Sequence, residues 1–176
     1  MVTIVVTLGA NMANQDFIIP AGTRIGHVHL KVADISRALT FYCDVLGFEL
    51  QQMYGDQAAF ISAGGYHHHI GLNTWESKGG SPPPPGTTGL YHTAILYPTR
   101  IDLANAYKRV LLSGRHLDGA ADHGVSDALY LRDPDENGVE LYWDRAVKDW
   151  PREPDGKLKM INARIDLKAL LETATI

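Results

Sequence analysis

The stretch GHVHLKVADISRALTFYCDVLGFEL (26–50) is repeated in outline by LYHTAILYPTRIDLANAYKRVLLSGRHL (90–117). In each stretch a histidine, His27 or His92, precedes alternating apolar residues, which predict a strand. A turn residue and apolar positions at helical spacing follow, so each strand is predicted to lead into an amphipathic helix. Gly47 and Gly114 predict where these helices end. The chain therefore contains two copies of one unit.

Strand patterns follow both predicted helices. Residues 58–63 and 67–75 flank the pair Gly64-Gly65 in the first copy, and residues 127–131 and 139–143 flank DPDENG in the second. Further strands are predicted at 48–54 and 117–119. These patterns predict an α+β fold of paired βαβββ modules, with their strands in a curved mixed sheet.

The predicted organisation has five parts. They are an N-terminal arm (1–22), a first module (23–77), a Gly/Pro linker (78–89), a second module (90–146) and a C-terminal tail (147–176) with a short helix at 165–172. The first basic residue is Arg24, so we expect the apolar start to be a leading strand or a loose arm, not a secretory signal. No apolar run reaches the roughly 20 residues of a membrane helix, and the cytoplasm is the default location.

Composition narrows the possible functions. The 176 residues have a formal net charge of −4, which argues against a nucleic-acid or membrane partner. Cys43 is the single cysteine, so neither an internal disulfide framework nor a thiolate zinc cluster is expected. Histidine is abundant, with eight residues, and a metal site would therefore use nitrogen and oxygen ligands.

Three residues form a candidate metal-binding set. His27 and His92 occupy matching positions in the two copies, although each could also be an isolated polar side chain at a strand start. Glu140 alternates with the apolar residues Val139 and Leu141, and a carboxylate in such surroundings is costly to bury without a partner. Two histidines and one carboxylate are the ligand arrangement of non-haem Fe(II) oxygenases.

The chain resembles the vicinal-oxygen-chelate superfamily of glyoxalases, bleomycin-resistance proteins and extradiol dioxygenases. Residues 23–150 have its paired-module pattern, and the opening GHVHLKVAD–FYCDVLGF is similar to that of its members. Within the superfamily, the runs YHHHIGLNTW and WPREPDGKLKM are most similar to catechol-2,3-dioxygenase-type proteins. A further stretch resembles the extradiol dioxygenase signature, with departures at Ala121 and Glu136: His123-x5-Leu129-Tyr130-x2-Asp133-Pro134-x5-Glu140.

The resemblance implies roles for individual residues. His27, His92 and Glu140 match the metal ligands, Tyr130 matches a tyrosine that hydrogen-bonds the substrate or an intermediate, and His123 matches a histidine near the open metal positions. His68 best matches the acid–base histidine. Strand alternation argues against His68, because it would share the face of Ile70 and Leu72, so His67 and His69 remain alternatives.

The resemblance also implies a function. We expect a metal-dependent extradiol ring-cleaving dioxygenase with an enclosed metal site, acting on a catecholic or related aromatic substrate with dioxygen. The expected cofactor is a divalent metal, Fe(II) first, with Mn, Ni or Zn as alternatives. The protein is expected to be a homodimer, without nucleic-acid or membrane partners.

Two alternatives belong to the same superfamily. A glyoxalase-type lyase or isomerase would carry a second carboxylate ligand near Ile70–Leu72, where no acidic residue occurs before Glu76. A metal-free antibiotic-binding protein would have no need for His27, His92 and Glu140 together. Chain length is a further consideration, because typical catechol extradiol dioxygenases carry four modules and this chain carries two.

Overall fold

The structure is a computed structural model that describes residues 18–176. The predicted arm at 1–22 therefore lies largely outside the described residues. Within the described residues there are eight strands: β1 (Val28–Lys31), β2 (Glu49–Tyr54), β3 (Ala58–Ser62), β4 (Ile70–Asn73), β5 (Thr93–Leu96), β6 (Gly119–Asp122), β7 (Ser126–Arg132) and β8 (Gly138–Asp144). The α-helices are α1 (Ile35–Leu39), α2 (Arg100–Leu112) and α3 (Leu167–Glu172); a π-helical segment (Thr40–Val45) continues α1 and a 3₁₀ turn spans Val147–Asp149. Across residues 18–176, no helix has the length and apolarity to cross a membrane.

The eight strands form two sheets with the same topology. Their orders are β1-β4-β3-β2 and β5-β8-β7-β6, and in each sheet the first strand pairs in parallel with the last strand of its module. The other pairs are antiparallel. The predicted α+β fold of paired βαβββ modules is thus confirmed, with the strands divided between two mixed four-stranded sheets.

Alternation and capping explain these elements. In β1, Leu30 is buried and His29 and Lys31 are exposed, so one face packs on the core and the other remains open. The Asp34 side chain caps α1 by accepting the Arg37 N–H at 2.8 Å. Thr99 and Asp102 form a capping box that starts α2.

Polar contacts from the β7–β8 turn join the two modules. The Tyr42 hydroxyl donates to Asp133 Oδ2 at 3.1 Å, and Asp135 accepts both the Ala33 N–H at 3.0 Å and an Arg37 N–H at 2.5 Å. The apolar core is continuous, with buried residues from both modules and Leu170 of α3. The α3 helix thus covers apolar surface, as its pattern predicts.

Several element boundaries differ from the sequence predictions. The strand predicted at 67–75 spans only Ile70–Asn73. Its hydrogen bonding to β3 begins with the His69 N–H, which donates to the Ile61 carbonyl, so His67 and His68 precede the sheet. The strand predicted at 117–119 begins at Gly119 instead, where its ladder with Tyr130 starts. The first helix changes to π-type hydrogen bonding after Leu39, a change that apolar spacing does not encode.

Candidate metal centre

His92 and Glu140 meet on the second sheet. His92 directly precedes β5, and Glu140 lies on the adjacent strand β8, paired with Ala94. This pairing brings His92 Nε2 to 2.8 Å from Glu140 Oε2, with the carboxylate side chain only 13% exposed. His92 Nδ1 is buried and has no hydrogen-bond partner in the described chain. The two predicted ligands of the second module are therefore adjacent and partly shielded from water.

Tyr130 and His123 extend this pair into a hydrogen-bonded chain. Tyr130 is opposite Glu140 in the β7–β8 ladder, and its hydroxyl lies 3.2 Å from Glu140 Oε1 and 2.7 Å from His123 Nε2. Burial and the nearby Glu140 carboxylate raise the pKa of Tyr130 to about 12. Tyr130 therefore keeps its proton at neutral pH and is available as a hydrogen-bond donor.

The donor set at this point fits a divalent cation. Imidazole nitrogen and carboxylate oxygen are ligands for Fe, Mn, Ni and Zn. A separation of 2.8 Å suits two neighbouring ligands that share an ion at ordinary metal–ligand distances of about 2.0–2.2 Å. One proton between these two atoms makes the contact a hydrogen bond, and a cation would take the place of that proton.

The first module contains a separate cluster of aromatic rings. The rings of His27 and His68 lie 4.4 Å apart between centroids, and Phe60 lies 5.0 Å from His68. His68 Nδ1 is 2.8 Å from His67 Nδ1. Desolvation, followed by the neighbouring His27, lowers the pKa of His68, so its ring is neutral at neutral pH.

The alternation argument against His68 does not apply, because His68 lies before the first residue of β4. Within the triplet, His68 is half-buried and contacts His27, whereas His67 and His69 are exposed. His69 accepts the Ala63 N–H at 3.3 Å through Nδ1, and both exposed rings lie beside Tyr66. These contacts favour His68 over its neighbours as the residue that belongs with His27.

The two groups of residues do not merge into one centre. Within residues 18–176, no three His, Cys, Asp or Glu side chains are grouped so that they could hold a metal ion. His27 lies with the first-module cluster, and His92 and Glu140 lie on the second sheet. The three-residue ligand set therefore stays a prediction.

A cavity of about 190 Å³ adjoins the second-module residues and is lined in part by His92, Tyr130 and Gly138. A larger one of about 690 Å³ lies beside the start of α1 and contains none of the candidate site residues. Sequence reasoning did not single out Phe60, although it lies within the strand predicted at 58–63. It also missed the Ile161 carbonyl, which accepts from His123, and local sequence carries no signal for this contact.

The Glyoxalase/Bleomycin resistance protein/Dioxygenase superfamily profile matches residues 24–141, and the chain belongs to this superfamily. Among curated relatives, the chain is similar to catechol-2,3-dioxygenase of Bacillus subtilis (strain 168), with 39% identity over 153 residues, covering 86% of this chain and 52% of the relative. It is also similar to biphenyl-2,3-diol 1,2-dioxygenase 3 of Rhodococcus globerulus, with 36% identity over 124 residues, 69% of this chain and 63% of the relative. The chain thus spans between half and two thirds of the length of these relatives.

Solved structures agree on the fold. A glyoxalase/dioxygenase from Nostoc punctiforme superposes with a TM-score of 0.60 at 17% identity, covering 76% of this chain and all of that one. A glyoxylase/bleomycin resistance protein/dioxygenase domain from Frankia sp. EAN1pec superposes with a TM-score of 0.58 at 20% identity, covering 70% of this chain and 98% of that one. At these identities the similarity establishes the fold alone.

Proposed function

We propose that this protein is a metal-dependent extradiol dioxygenase that cleaves a catecholic or related aromatic ring with dioxygen. The observation that carries the proposal is the connected set His123–Tyr130–Glu140–His92, which joins a carboxylate and an imidazole ligand to a phenol and a second imidazole. Similarity to two relatives named as dioxygenases of catechol and biphenyl-2,3-diol supports the same chemistry.

The proposed ligands of the metal are His27, His92 and Glu140, with Fe(II) first and Mn, Ni or Zn as alternatives. When bound, such a metal supplies the redox and Lewis-acid chemistry by which a diol and dioxygen react. The protein contributes position and proton control. Homodimerisation and a cytoplasmic location remain part of the proposal.

Three side chains would control protons and hydrogen bonds around the substrate. Tyr130 is protonated at neutral pH, and its hydroxyl can form a hydrogen bond with an oxygen atom of the substrate. His68 is neutral and half-buried, so it can accept the proton of a catechol hydroxyl. His123 contacts Tyr130 through Nε2 and sets the direction in which the phenol points.

Register argues against the glyoxalase-type alternative. Ala94 pairs with Glu140 in the second sheet, and the corresponding pair in the first sheet is His29 and Gly71. A glycine therefore occupies the position where a second carboxylate ligand would stand, and the His29 ring lies 3.0 Å from where its Cβ would be. The proposed three ligands leave positions open for substrate and dioxygen.

The test is anaerobic reconstitution with Fe(II), followed by addition of oxygen and a panel that includes catechol and biphenyl-2,3-diol. We expect oxygen uptake and a yellow ring-fission product from at least one diol. Bound metal without product from any diol would instead favour the isomerase. Protein that takes up neither Fe(II), Mn(II), Ni(II) nor Zn(II) would favour the metal-free binding protein.

A further inference from the structure

The C-terminal segment Trp150–Ala163 folds back onto the end of β6, beside the candidate site. It contains an antiparallel bridge between Arg152 and Leu158, and a second bridge joins Ala163 to Asp122. The Trp150 indole N–H anchors its start by donating to the Arg145 carbonyl at 2.8 Å. This segment lies beyond the residues that the superfamily profile matches.

The segment reaches the site through one carbonyl group. His123 Nδ1 lies 3.1 Å from the Ile161 carbonyl oxygen, and the Ile161 N–H donates to the His123 carbonyl at 3.0 Å. A carbonyl oxygen can only accept a hydrogen bond, so Nδ1 must carry the hydrogen. In a neutral imidazole, Nε2 is then the acceptor.

The tautomer of His123 determines where the Tyr130 proton points. Tyr130 has one hydroxyl proton and two acceptors within reach, His123 Nε2 at 2.7 Å and Glu140 Oε1 at 3.2 Å. With Nδ1–H on neutral His123, the Tyr130 proton can go to His123 Nε2, the nearer atom, which leaves Glu140 Oε1 without a donor among residues 18–176. With the opposite tautomer, Nε2–H would donate to the phenol oxygen and direct its proton to the carboxylate.

We propose that the segment Trp150–Ala163 is a positioning element: the Ile161 carbonyl holds His123 in the Nδ1–H tautomer and thereby keeps the Tyr130 proton away from Glu140. This role rests on the proposed function, because it matters only where the Glu140 carboxylate is a ligand. Ile161 acts through His123 and Tyr130, so it is a positioning residue.

Gly124 permits the close approach that this contact requires. Its φ is +76°, and a Cβ there would lie 2.8 Å from Pro151 Cγ and 3.2 Å from Ile161 Cγ1. Gly156, in the turn of the same segment, has a similar φ of +84°, but a Cβ there would meet no atom of the described chain within 4 Å. A substitution therefore meets similar backbone strain at both glycines, but only a side chain at position 124 also collides with the segment Trp150–Ala163.

The test compares Gly124→Ala with Gly156→Ala in the metal-free full-length protein. Long-range ¹H–¹⁵N correlation spectra of ¹⁵N-histidine-labelled protein distinguish protonated from unprotonated ring nitrogens, and the signals lost in His123→Gln assign His123. We expect Nδ1–H in the parent protein and in Gly156→Ala. In Gly124→Ala, we expect the Nε2–H population to rise about fivefold or more, and adding Pro151→Ala, which removes Cγ, should restore the parent pattern.

An Nε2–H tautomer or a doubly protonated His123 ring in the parent protein would overturn the proposal, and so would an unchanged tautomer in folded Gly124→Ala. If Gly124→Ala does not fold, Ala163→Pro replaces it, because it removes the N–H that donates to the Asp122 carbonyl. The same tautomer shift is then expected, and its absence would overturn the proposal.

Kinetics separate this proposal from the proposed function. In Fe(II)-loaded protein, loss of the positioning contact should lower kcat about tenfold and change KM less than twofold, the size expected for an outer-shell partner. A parent protein without ring-cleaving activity would contradict the proposed function, whereas the tautomer measurement tests the positioning contact without metal or substrate.

Discussion

The two sheets can be compared residue by residue, because rows of paired positions run across all four strands of each, and the row that contains Glu140 has an equivalent in the first sheet. The row is His29–Gly71–Phe60–Gln52 in the first sheet and Ala94–Glu140–Tyr130–Gly119 in the second. The backbone ladder is the same in both. The chemistry differs at every position of the row.

Side-chain size accounts for much of the difference. Opposite Glu140 stands Ala94, which leaves room for the carboxylate, whereas opposite Gly71 stands His29, whose ring covers the glycine. Beside Glu140 stands Tyr130 with a hydroxyl, and beside Gly71 stands Phe60 without one. A duplicated fold thus supplies two equivalent positions, and the local side chains make only one of them a carboxylate site.

The largest effect is expected when the second row loses its carboxylate. Glu140→Ala should weaken binding of Fe(II) or Zn(II) at least about a hundredfold, since even outer-shell partners of a metal contribute 10- to 100-fold. Metal stoichiometry after dialysis and calorimetric titration would measure this loss. Glu49→Ala, at an exposed position of β2, is the control and should bind metal as the parent does. Stoichiometric metal in Glu140→Ala would refute the ligand assignment.

Tyr130→Phe gives the second sheet the same residue type that Phe60 provides at the equivalent position of the first sheet. We expect kcat for ring cleavage to fall about a hundredfold, the order of magnitude for removal of one preorganised hydrogen-bonding group, with metal content unchanged. Steady-state kinetics on the preferred diol, with metal analysis, would measure both. Tyr54→Phe, at an exposed position of β2, is the matched control. Equal kcat values for the two variants would argue against a role for the phenol.

The opposite exchange places the residue types of Ala94 and Glu140 at the equivalent positions of the first sheet, His29 and Gly71. The double variant His29→Ala/Gly71→Glu removes the ring that covers position 71 and adds a carboxylate. We expect Zn(II) or Ni(II) affinity to rise about tenfold, because ligand charge increases, while ring cleavage falls as an open position is filled. His29→Ala alone opens the space without a carboxylate and should leave the affinity unchanged. An unchanged affinity in the double variant would show that position 71 lies away from the metal.

The titration of the Tyr130 phenol should also be measurable, whereas Phe60, the equivalent residue of the first sheet, has no group that titrates. In the unfolded chain this phenol loses its proton near pH 10, the ordinary value for tyrosine. In the folded chain its pKa is raised to about 12, so the phenol keeps its proton to higher pH. The corresponding stabilisation is present below about pH 10 and disappears as the pH rises towards 12. Absorbance at 295 nm, parent minus Tyr130→Phe, should show a step near pH 12. A step near pH 10 would mean that the phenol is unperturbed.

The smallest effect concerns the turns that join the last two strands of each module. The first turn has Gly64 and Gly65 at φ values of 66° and 73°, whereas the second places Glu136 at 63°. Glu136→Gly should relieve strain and stabilise the fold by about 0.5–1 kcal/mol. Thermal unfolding should show a rise of about 1–4 °C. Glu136→Ala retains the strain, so a similar rise in that variant would contradict this explanation.

Much of this arrangement could be predicted from local patterns. Alternation with Val139 and Leu141 identified the face of β8 that carries Glu140, and Gly47 and Gly114 were predicted to mark the ends of the helices. The start of β4 was predicted at residue 67 instead of Ile70, because no local feature of His67–His69 marks where the pairing with Ile61 of β3 begins. The His29–Gly71 pair was missed for a related reason, since register depends on turn lengths and pairing across the sheet.

The sequence by itself determined the duplicated βαβββ modules and indicated the candidate residues for metal binding and proton transfer. These follow from periodicity and residue type, which are local properties of the chain. Only the tertiary structure decided that His92 contacts Glu140, that His68 lies against His27, and that the Ile161 carbonyl contacts His123. All three contacts join residues far apart in the chain, so packing and strand register select them, and spacing in the sequence does not encode that choice.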